Sequence, residues 1–245
     1  MYYKWLTRGG RSPYAKWQWP LPTQNEDGTW IPGEWTPYIK ELQQCLVGYH
    51  AARRNLVEYA YGAVEADLYE LEYICELEYI CEIEDYGDKV NGHQARLVRK
   101  IGEMDARKWR LLICDIAEHV QWVWLERFPD GNRPQHAIDV ARRHINGQAS
   151  DDELSAAGTA AEASAWYATA YAAGCGAEAA AWAARDSAWY AGDVARDATK
   201  TASVAASVAA SAAARDGAGY AAGYAEREWQ DERLLEYVRD ELRAS

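Results

Sequence analysis

The sequence predicts an α+β fold, in which a small β-rich N-terminal domain over residues 1–105 precedes an alanine-rich antiparallel helical bundle over residues 106–245. Three observations predict this arrangement. Residues 1–105 hold five of the seven prolines, within aromatic, turn-rich stretches typical of short strands and loops. Residues 106–150 carry apolar side chains at helical spacing. From residue 151 onward the chain is rich in alanine, the strongest helix former.

The N-terminal part is unusually rich in aromatic rings. The whole chain holds 12 Trp and 17 Tyr against a single Phe, and such rings bury area while keeping a polar atom exposed. We expect four of the tryptophans to cover one face of a small sheet: Trp17, Trp19, Trp30 and Trp35. A short helix is expected after the C-x-x-G-Y-H stretch that begins at Cys45.

The hexapeptide ELEYIC occurs twice in tandem, at residues 70–75 and 76–81. Odd positions are apolar and most even positions are acidic, which predicts a long acidic strand or a hairpin with one apolar face. Because six is a multiple of two, the duplication keeps each side chain on its own face. Residues 86–92 are predicted as a turn, and residues 93–101 as a returning strand.

Two helices are predicted between residues 106 and 150. The apolar positions of the first are Trp109, Leu112, Ile113, Ile116, Val120 and Val123. Pro134 suits the first turn of the second helix, which should stop at Gly147. Ser150 and Glu153 have the spacing of a capping box for a further helix.

The alanine-rich tail is an imperfect repeat. SAWYATAY recurs as SAWYAGDV 23 residues later, and three or four helices are expected, with large rings packed on an alanine floor. Residues 151–245 hold 16 acidic and 8 basic residues, so the net charge of this segment is −8. We expect the acidic character of the protein to be concentrated there.

Composition excludes several classes of function. With a net charge of −12 and no basic stripe, direct binding to nucleic acid is not expected. The five cysteines show no C-x-x-C spacing, which favours reduced thiols in a cytoplasmic protein without a metal. No signal peptide or membrane span is predicted, and no cofactor motif occurs.

The order of motifs resembles a group of uncharacterised bacterial and phage proteins labelled as immunity proteins. The motifs include RSPY, WPLP, PGEW, C-x-x-G-Y-H, ARLVR and R-P-x-x-A-I-x-x-A-R, followed by the alanine-rich tail with its AW repeats. The resemblance covers nearly the whole chain and implies a toxin-neutralising function for the helical part. The chain departs from the group in its doubled ELEYIC, and in Ile116, where many members have Cys.

The C-x-x-G-Y-H stretch supplies the first candidate site. Cys45 and His50 could meet on a loop as a nucleophile and base or as two metal ligands, although a structural turn explains the pattern more simply. Arg11 and Ser12 could hold an anion or could form the turn before Pro13. The ligand-binding candidates are therefore Arg11, Ser12, Trp17, Cys45, Tyr49 and His50.

Three functions are consistent with these patterns. The first is a cytoplasmic, non-enzymatic protein that neutralises or sequesters a protein partner. A partner with a basic surface would complement the acidic helical tail. The binding residues of the tail would be Glu226, Glu228, Trp229, Asp231 and Glu232. The second is a protein that binds a small nucleotide-like ligand between aromatic walls, and the third is an enzyme using Cys45 or His50. Association of identical copies is left open.

Overall fold

The computed structural model describes residues 1–43, 46–60, 65–77, 80–81, 83–85, 87–119, 129–130, 132–157, 159–160 and 220–240. The chain divides into two compact units. The first comprises Met1–Met104 with the C-terminal residues from Leu235, and the second comprises Asp105–Leu234. The described residues combine an antiparallel sheet with helices, so the α+β class is confirmed.

The first unit is built on a six-stranded antiparallel sheet. In chain order its strands are β1 (Tyr2–Thr7), β4 (Tyr49–Ala52), β5 (Ala66–Tyr73), β8 (Ile83–Asp85), β9 (Lys89–Gly92) and β10 (Ala95–Met104). Two further pairs are separate two-stranded sheets: β2 (Thr23–Gln24) with β3 (Trp30–Ile31), and β6 (Cys75–Leu77) with β7 (Ile80–Cys81). A short 3₁₀ helix, Glu58–Ala60, lies where a short helix was expected.

The six-stranded sheet is strongly curled. Its strand order is β10-β5-β1-β4-β9-β8, so β9 and β10 are four strand spacings apart, about 19 Å in a flat sheet. Only His93 and Gln94 join them, and the three peptide units from Gly92 to Ala95 span at most about 11 Å. The sheet therefore bends until β9 approaches β5, where the Tyr73 ring lies 2.3 Å from the position of a Cβ on Gly92.

The concave side of this curl, here called the inner face, carries the core of the first unit. Its buried residues are Leu6, Trp19, Tyr49, Ala51, Tyr69, Leu71, Tyr73, Val90, Ala95 and Leu97. Alternation along β5 places Tyr69, Leu71 and Tyr73 there, as the odd positions of the repeat predicted. The Tyr73 hydroxyl donates to the Tyr49 carbonyl at 2.7 Å, which ties β5 to β4 through the interior.

The acidic even positions of β5 face outward and pair with β10. Glu70 accepts from Arg99 at 2.6 Å, and Glu72 forms an ion pair with Arg96. The Arg96 guanidinium also lies 4.6 Å from the Trp35 ring centroid. These exposed pairs select the register of β5 against β10 more than they add stability.

The other side of β10 is covered by the segment 33–39. The Gly33 amide donates to the Leu97 carbonyl and the Thr36 amide to the Ala95 carbonyl, both at 2.9 Å. Farther along, the Ile39 amide donates to the His93 carbonyl at 3.0 Å. The segment thus satisfies the backbone of an edge strand that would otherwise offer itself to another chain.

The tandem repeat does not form one long strand. The first copy completes β5, whereas the chain beyond it folds back so that Cys75 and Cys81 become register partners in the β6–β7 pair. The reason is that β5 has no described neighbouring strand to pair with beyond Tyr73. Leu71 meets Tyr2 at the start of β1, and Tyr73 meets Ala95 at the start of β10, so no strand continues beside β5 past that point. The predicted turn over residues 86–92 is also wrong, because Lys89–Gly92 form β9.

The second unit contains α1 (Ala106–His119), α2 (Arg133–Ile145), helical residues 151–157, and α3 (Tyr220–Val238) as far as Leu234. Asp105 caps α1 by accepting from the Lys108 amide at 2.8 Å. The predicted capping box is confirmed, since the Ser150 amide donates to Glu153 at 3.0 Å and the Glu153 amide to the Ser150 hydroxyl at 3.2 Å.

Helices α1 and α2 run antiparallel. Arg107, at the start of α1, donates to Asn146 at the end of α2 at 2.8 Å, while Gln135 near the start of α2 donates to Glu118 near the end of α1 at 3.3 Å. Four of the six predicted apolar positions of α1 are buried: Trp109, Leu112, Ile113 and Ile116. The other two, Val120 and Val123, lie outside the described residues.

Three or four helices were predicted for residues 151–245: residues 151–157 and Tyr220–Val238 are helical, and residues 161–219 lie outside the described part of the chain. No helix among the described residues is both long enough and apolar enough to cross a bilayer. At the end of α3, in the first unit, the Val238 carbonyl oxygen would lie 2.0 Å from a Cβ on Gly102. Glycine at this position of β10 is therefore a packing requirement.

Candidate ligand-binding site

The two aromatic residues among the ligand-binding candidates, Trp17 and Tyr49, cluster with Trp19 on the inner face. Tyr49 is placed there by β4, and the loop after β1 brings two tryptophans to it. The Trp17 and Trp19 ring centroids are 5.0 Å apart, and each lies 5.5 Å from that of Tyr49. Trp19 is buried and Trp17 is half-buried, so Trp17 presents part of its ring to solvent.

Arg11 and Ser12 position this loop. Ser12 is buried, and its hydroxyl accepts the Trp19 indole N–H at 2.9 Å. Arg11 is exposed and donates through Nε to Gln18 at 3.3 Å. Both side chains thus form hydrogen bonds that stabilise the loop carrying Trp17 and Trp19. This geometry favours the structural interpretation of Arg11 and Ser12 over an anion site.

The glycine of the C-x-x-G-Y-H stretch is explained by packing. Gly48 has φ +123°, and a Cβ there would lie 2.0 Å from the Asn91 side-chain oxygen. Asn91 in turn donates to the Val47 carbonyl at 2.9 Å, and the Tyr49 hydroxyl donates to the Pro37 carbonyl at 2.9 Å. Cys45 lies outside the described residues, so the proposed meeting of Cys45 and His50 is not described.

Lys4 is a candidate residue that sequence reasoning missed. Its ammonium donates to the His50 carbonyl at 2.6 Å and lies 5.4 Å from the Trp19 ring centroid. Burial, together with the charge of Lys89, lowers the pKa of Lys4 to about 8. Alternation along β1 could have identified it, because Lys4 shares a face of the strand with Tyr2 and Leu6.

His50 is influenced by the same charges. Burial lowers its pKa to about 4, and the charges of Lys89 and Lys4 act in the same direction. The imidazole is therefore neutral near pH 7, and a group with this pKa is a weak general base at that pH. This argues against the hypothesis that His50 activates a thiol.

A further cation, Arg53, lies at the end of β4. Its guanidinium carbon is 5.5 Å from the Tyr2 ring centroid, and Tyr2 packs edge-on against Tyr73 with ring centroids 5.2 Å apart. We use the name basic–aromatic cluster for Lys4, Arg53, Tyr2, Trp17 and Trp19. Lys89 adds to the positive potential beside Lys4.

The proposed partner-binding residues on α3 are not all exposed. Glu226 is buried, contrary to the exposure expected of a partner-binding residue, and it accepts from Gln230 at 2.7 Å. The Glu226 carboxylate lies 3.2 Å from His119, which supplies a polar partner for it inside the second unit. Burial raises the pKa of Glu226 and lowers that of His119, so both shifts favour a neutral hydrogen-bonded pair.

Trp229 is also engaged within the second unit. Its ring stacks on the His119 imidazole with centroids 3.7 Å apart and planes 4° apart, and it is only half-buried. Glu228 and Glu232 are exposed, and Asp231 is half-buried. Of the five proposed partner-binding residues, Glu228 and Glu232 are therefore the two that are exposed.

Comparisons of the chain with protein-family models, curated proteins and solved structures find no match. Among the residues that the structure describes, no group of three or more His, Cys, Asp or Glu side chains is placed to hold a metal ion. The basic–aromatic cluster combines cations, which suit an anionic group, with rings, which suit an apolar or aromatic one.

Proposed function

We propose that this chain is a non-enzymatic binding protein that holds a small nucleotide-like ligand at the basic–aromatic cluster. The observation that carries the proposal is the Lys4 ammonium, held at 2.6 Å from the His50 carbonyl beneath the Trp19 ring. A half-buried lysine beside aromatic rings costs stability, since burial disfavours its charged form. Such a cost is typical of functional sites.

Two half-buried aromatic rings also support the proposal. Tyr2 and Trp17 are both partly exposed at the inner face, next to cationic groups. Ligand sites are commonly apolar and aromatic with a few converging polar groups, and curled sheets offer such sites at their mouths. A flat aromatic base with a charged substituent matches this combination of surfaces.

The test is recovery of a ligand. The chain is purified from its host, and native mass spectrometry measures bound mass in the wild type, in Trp17→Leu and in Trp30→Leu. Trp30 lies in β3, outside the cluster, and is half-buried like Trp17, so it is a matched control. We expect a small molecule in the wild type and the control but not in Trp17→Leu. Equal recovery from all three, or from none, contradicts the proposal.

A second candidate function is neutralisation of a protein partner in the cytoplasm, as the resemblance to immunity proteins implies. The observation that favours it is the placement of Glu228 and Glu232 one turn apart on the exposed side of α3. Like charges at this spacing destabilise an isolated helix, and a basic partner would relieve the repulsion. In this second proposal, residues 106–245 form the antiparallel helical bundle expected from the sequence, and the cysteines are reduced.

Charge reversal separates this candidate from the first. The triple variant Glu228→Lys, Asp231→Lys, Glu232→Lys should slow association with a basic partner, and the loss should shrink at high salt. The control is Glu26→Lys, Glu34→Lys, Glu41→Lys, which changes the net charge equally at exposed positions of the first unit. Association rates that fall equally in both triple variants would show that only net charge matters and would remove α3 as the binding surface.

A further inference from the structure

We infer that the basic–aromatic cluster binds the phosphate group of a nucleoside monophosphate through Lys4 and Arg53, while the Trp17 ring contacts the base. The inference rests on the proposed function, because it names the ligand class of that same site. It goes beyond the sequence-based candidates, which included neither Lys4 nor Arg53. Arg11, the sequence-based candidate for anion binding, hydrogen-bonds within its own loop.

The backbone places the two cations within reach of one phosphate. Tyr2 and Lys4 are two residues apart on one strand and share the inner face, which separates their Cα atoms by about 7 Å. Arg53 lies 5.5 Å from the Tyr2 ring centroid. A phosphate offers several acceptor oxygens, so it can bridge an ammonium and a guanidinium that come from β1 and from the residue directly after the neighbouring strand β4. Arginine adds the forked geometry that suits phosphate oxygens.

The surrounding charges favour an anion. Lys4 lies close enough to Lys89 for their charges to repel, and His50 is influenced by both lysines. Asp67, a carboxylate of the inner face, is engaged farther along the sheet with Lys100 at 2.9 Å. An anion at Lys4 would offset the repulsion among the cations and would increase the share of Lys4 that is protonated.

A pH dependence follows, with a definite sign. The charged and titratable groups near Lys4 on the neighbouring elements include Lys89 on β9, His50 on β4, Arg53 directly after β4, and Tyr69, its register partner on β5. Burial raises the pKa of Tyr69 to about 12, so Tyr69 stays neutral in the range that matters. Lys4 loses its charge as pH rises through about 8, so phosphate affinity should fall between pH 7 and pH 9.

Isothermal titration calorimetry tests the inference with three probes: adenosine monophosphate, adenosine and inorganic phosphate. The variants are Lys4→Met and Arg53→Gln, and the control is Lys40→Met at an exposed lysine of the same unit. We expect the monophosphate to bind the wild type and control at least about tenfold more tightly than it binds either variant. Adenosine should bind all four proteins equally weakly, and circular dichroism checks that each variant is folded.

The outcomes separate the inference from the proposed function. If adenosine binds as tightly as the monophosphate, and Lys4→Met and Arg53→Gln change nothing, the site takes a nucleoside and phosphate recognition is wrong. If no probe binds the wild type while native mass spectrometry recovers another ligand, the ligand class is wrong but the function stands. If no probe binds and no ligand is recovered, both fail. Monophosphate affinity that does not fall between pH 7 and pH 9 contradicts the role of Lys4.

Discussion

The two copies of ELEYIC have one sequence and two structures. The first copy, at residues 70–75, supplies the second half of β5, with β1 on one side and β10 on the other. The second copy, at residues 76–81, contributes to β6 and β7, which pair only with each other among the described strands. The hexapeptide therefore determines strand character, while the neighbouring strands determine whether the strand joins the core.

The difference shows what alternation can and cannot specify. Alternation predicted that Leu71 and Tyr73 share a buried face, and they do. It could not predict where pairing ends, because that depends on where β1 and β10 begin. The start of β1 at Tyr2 and the start of β10 at Ala95 set that limit, and neither lies within the repeat.

The largest expected effect comes from a charge in the first copy. Leu71 is 2% exposed, so Leu71→Asp buries an unpaired carboxylate and should destabilise the protein by about 4 kcal/mol or more. Leu71→Met keeps volume and polarity and should cost less than about 1.5 kcal/mol. Urea denaturation measures both. If the two variants have similar midpoints, the first copy does not lie in the core.

A smaller effect is expected from removing one hydroxyl of the first copy. Tyr73→Phe removes a buried donor and leaves the Tyr49 carbonyl without this partner, at a cost of about 1–3 kcal/mol. Tyr69→Phe is the control, because the Tyr69 hydroxyl lies 3.5 Å from Asp67, a longer contact. Thermal unfolding should show the greater loss in Tyr73→Phe. The reverse order would contradict the tie between β5 and β4.

The smallest effect is expected from deleting a whole copy. Because the copies are identical, deletion of residues 70–75 or 76–81 gives the same chain, and the remaining copy can complete β5. Four peptide units, about 14 Å, then join Tyr73 to Ile83. That length is sufficient, since Ile83 pairs with Gly92, which the Tyr73 ring contacts. Thermal unfolding should shift by only a few degrees, whereas loss of cooperative unfolding would show that the hairpin supports the sheet.

The candidate site was predictable only in part. Trp17, Tyr49 and His50 were singled out from the sequence, and the structure places Trp17 and Tyr49 together on the inner face. Lys4 was missed because an isolated lysine in a short strand looks like a surface residue. Its position became informative only once the curl of the sheet set Trp19 above it. Glu226 was wrongly expected to be exposed, because its partner His119 is more than 100 residues away in the sequence.

Hydrogen exchange at the two copies tests most directly the claim that the neighbouring strands, rather than the local sequence, place the repeat in the core. Identical hexapeptides have nearly the same intrinsic exchange rates, so a difference in protection reports structure alone. Residue-resolved exchange measured by NMR should show the amides of Glu70 and Leu71 exchanging at least about tenfold more slowly than those of Glu76 and Leu77, their described equivalents in the second copy. Equal protection of the two copies would contradict the account.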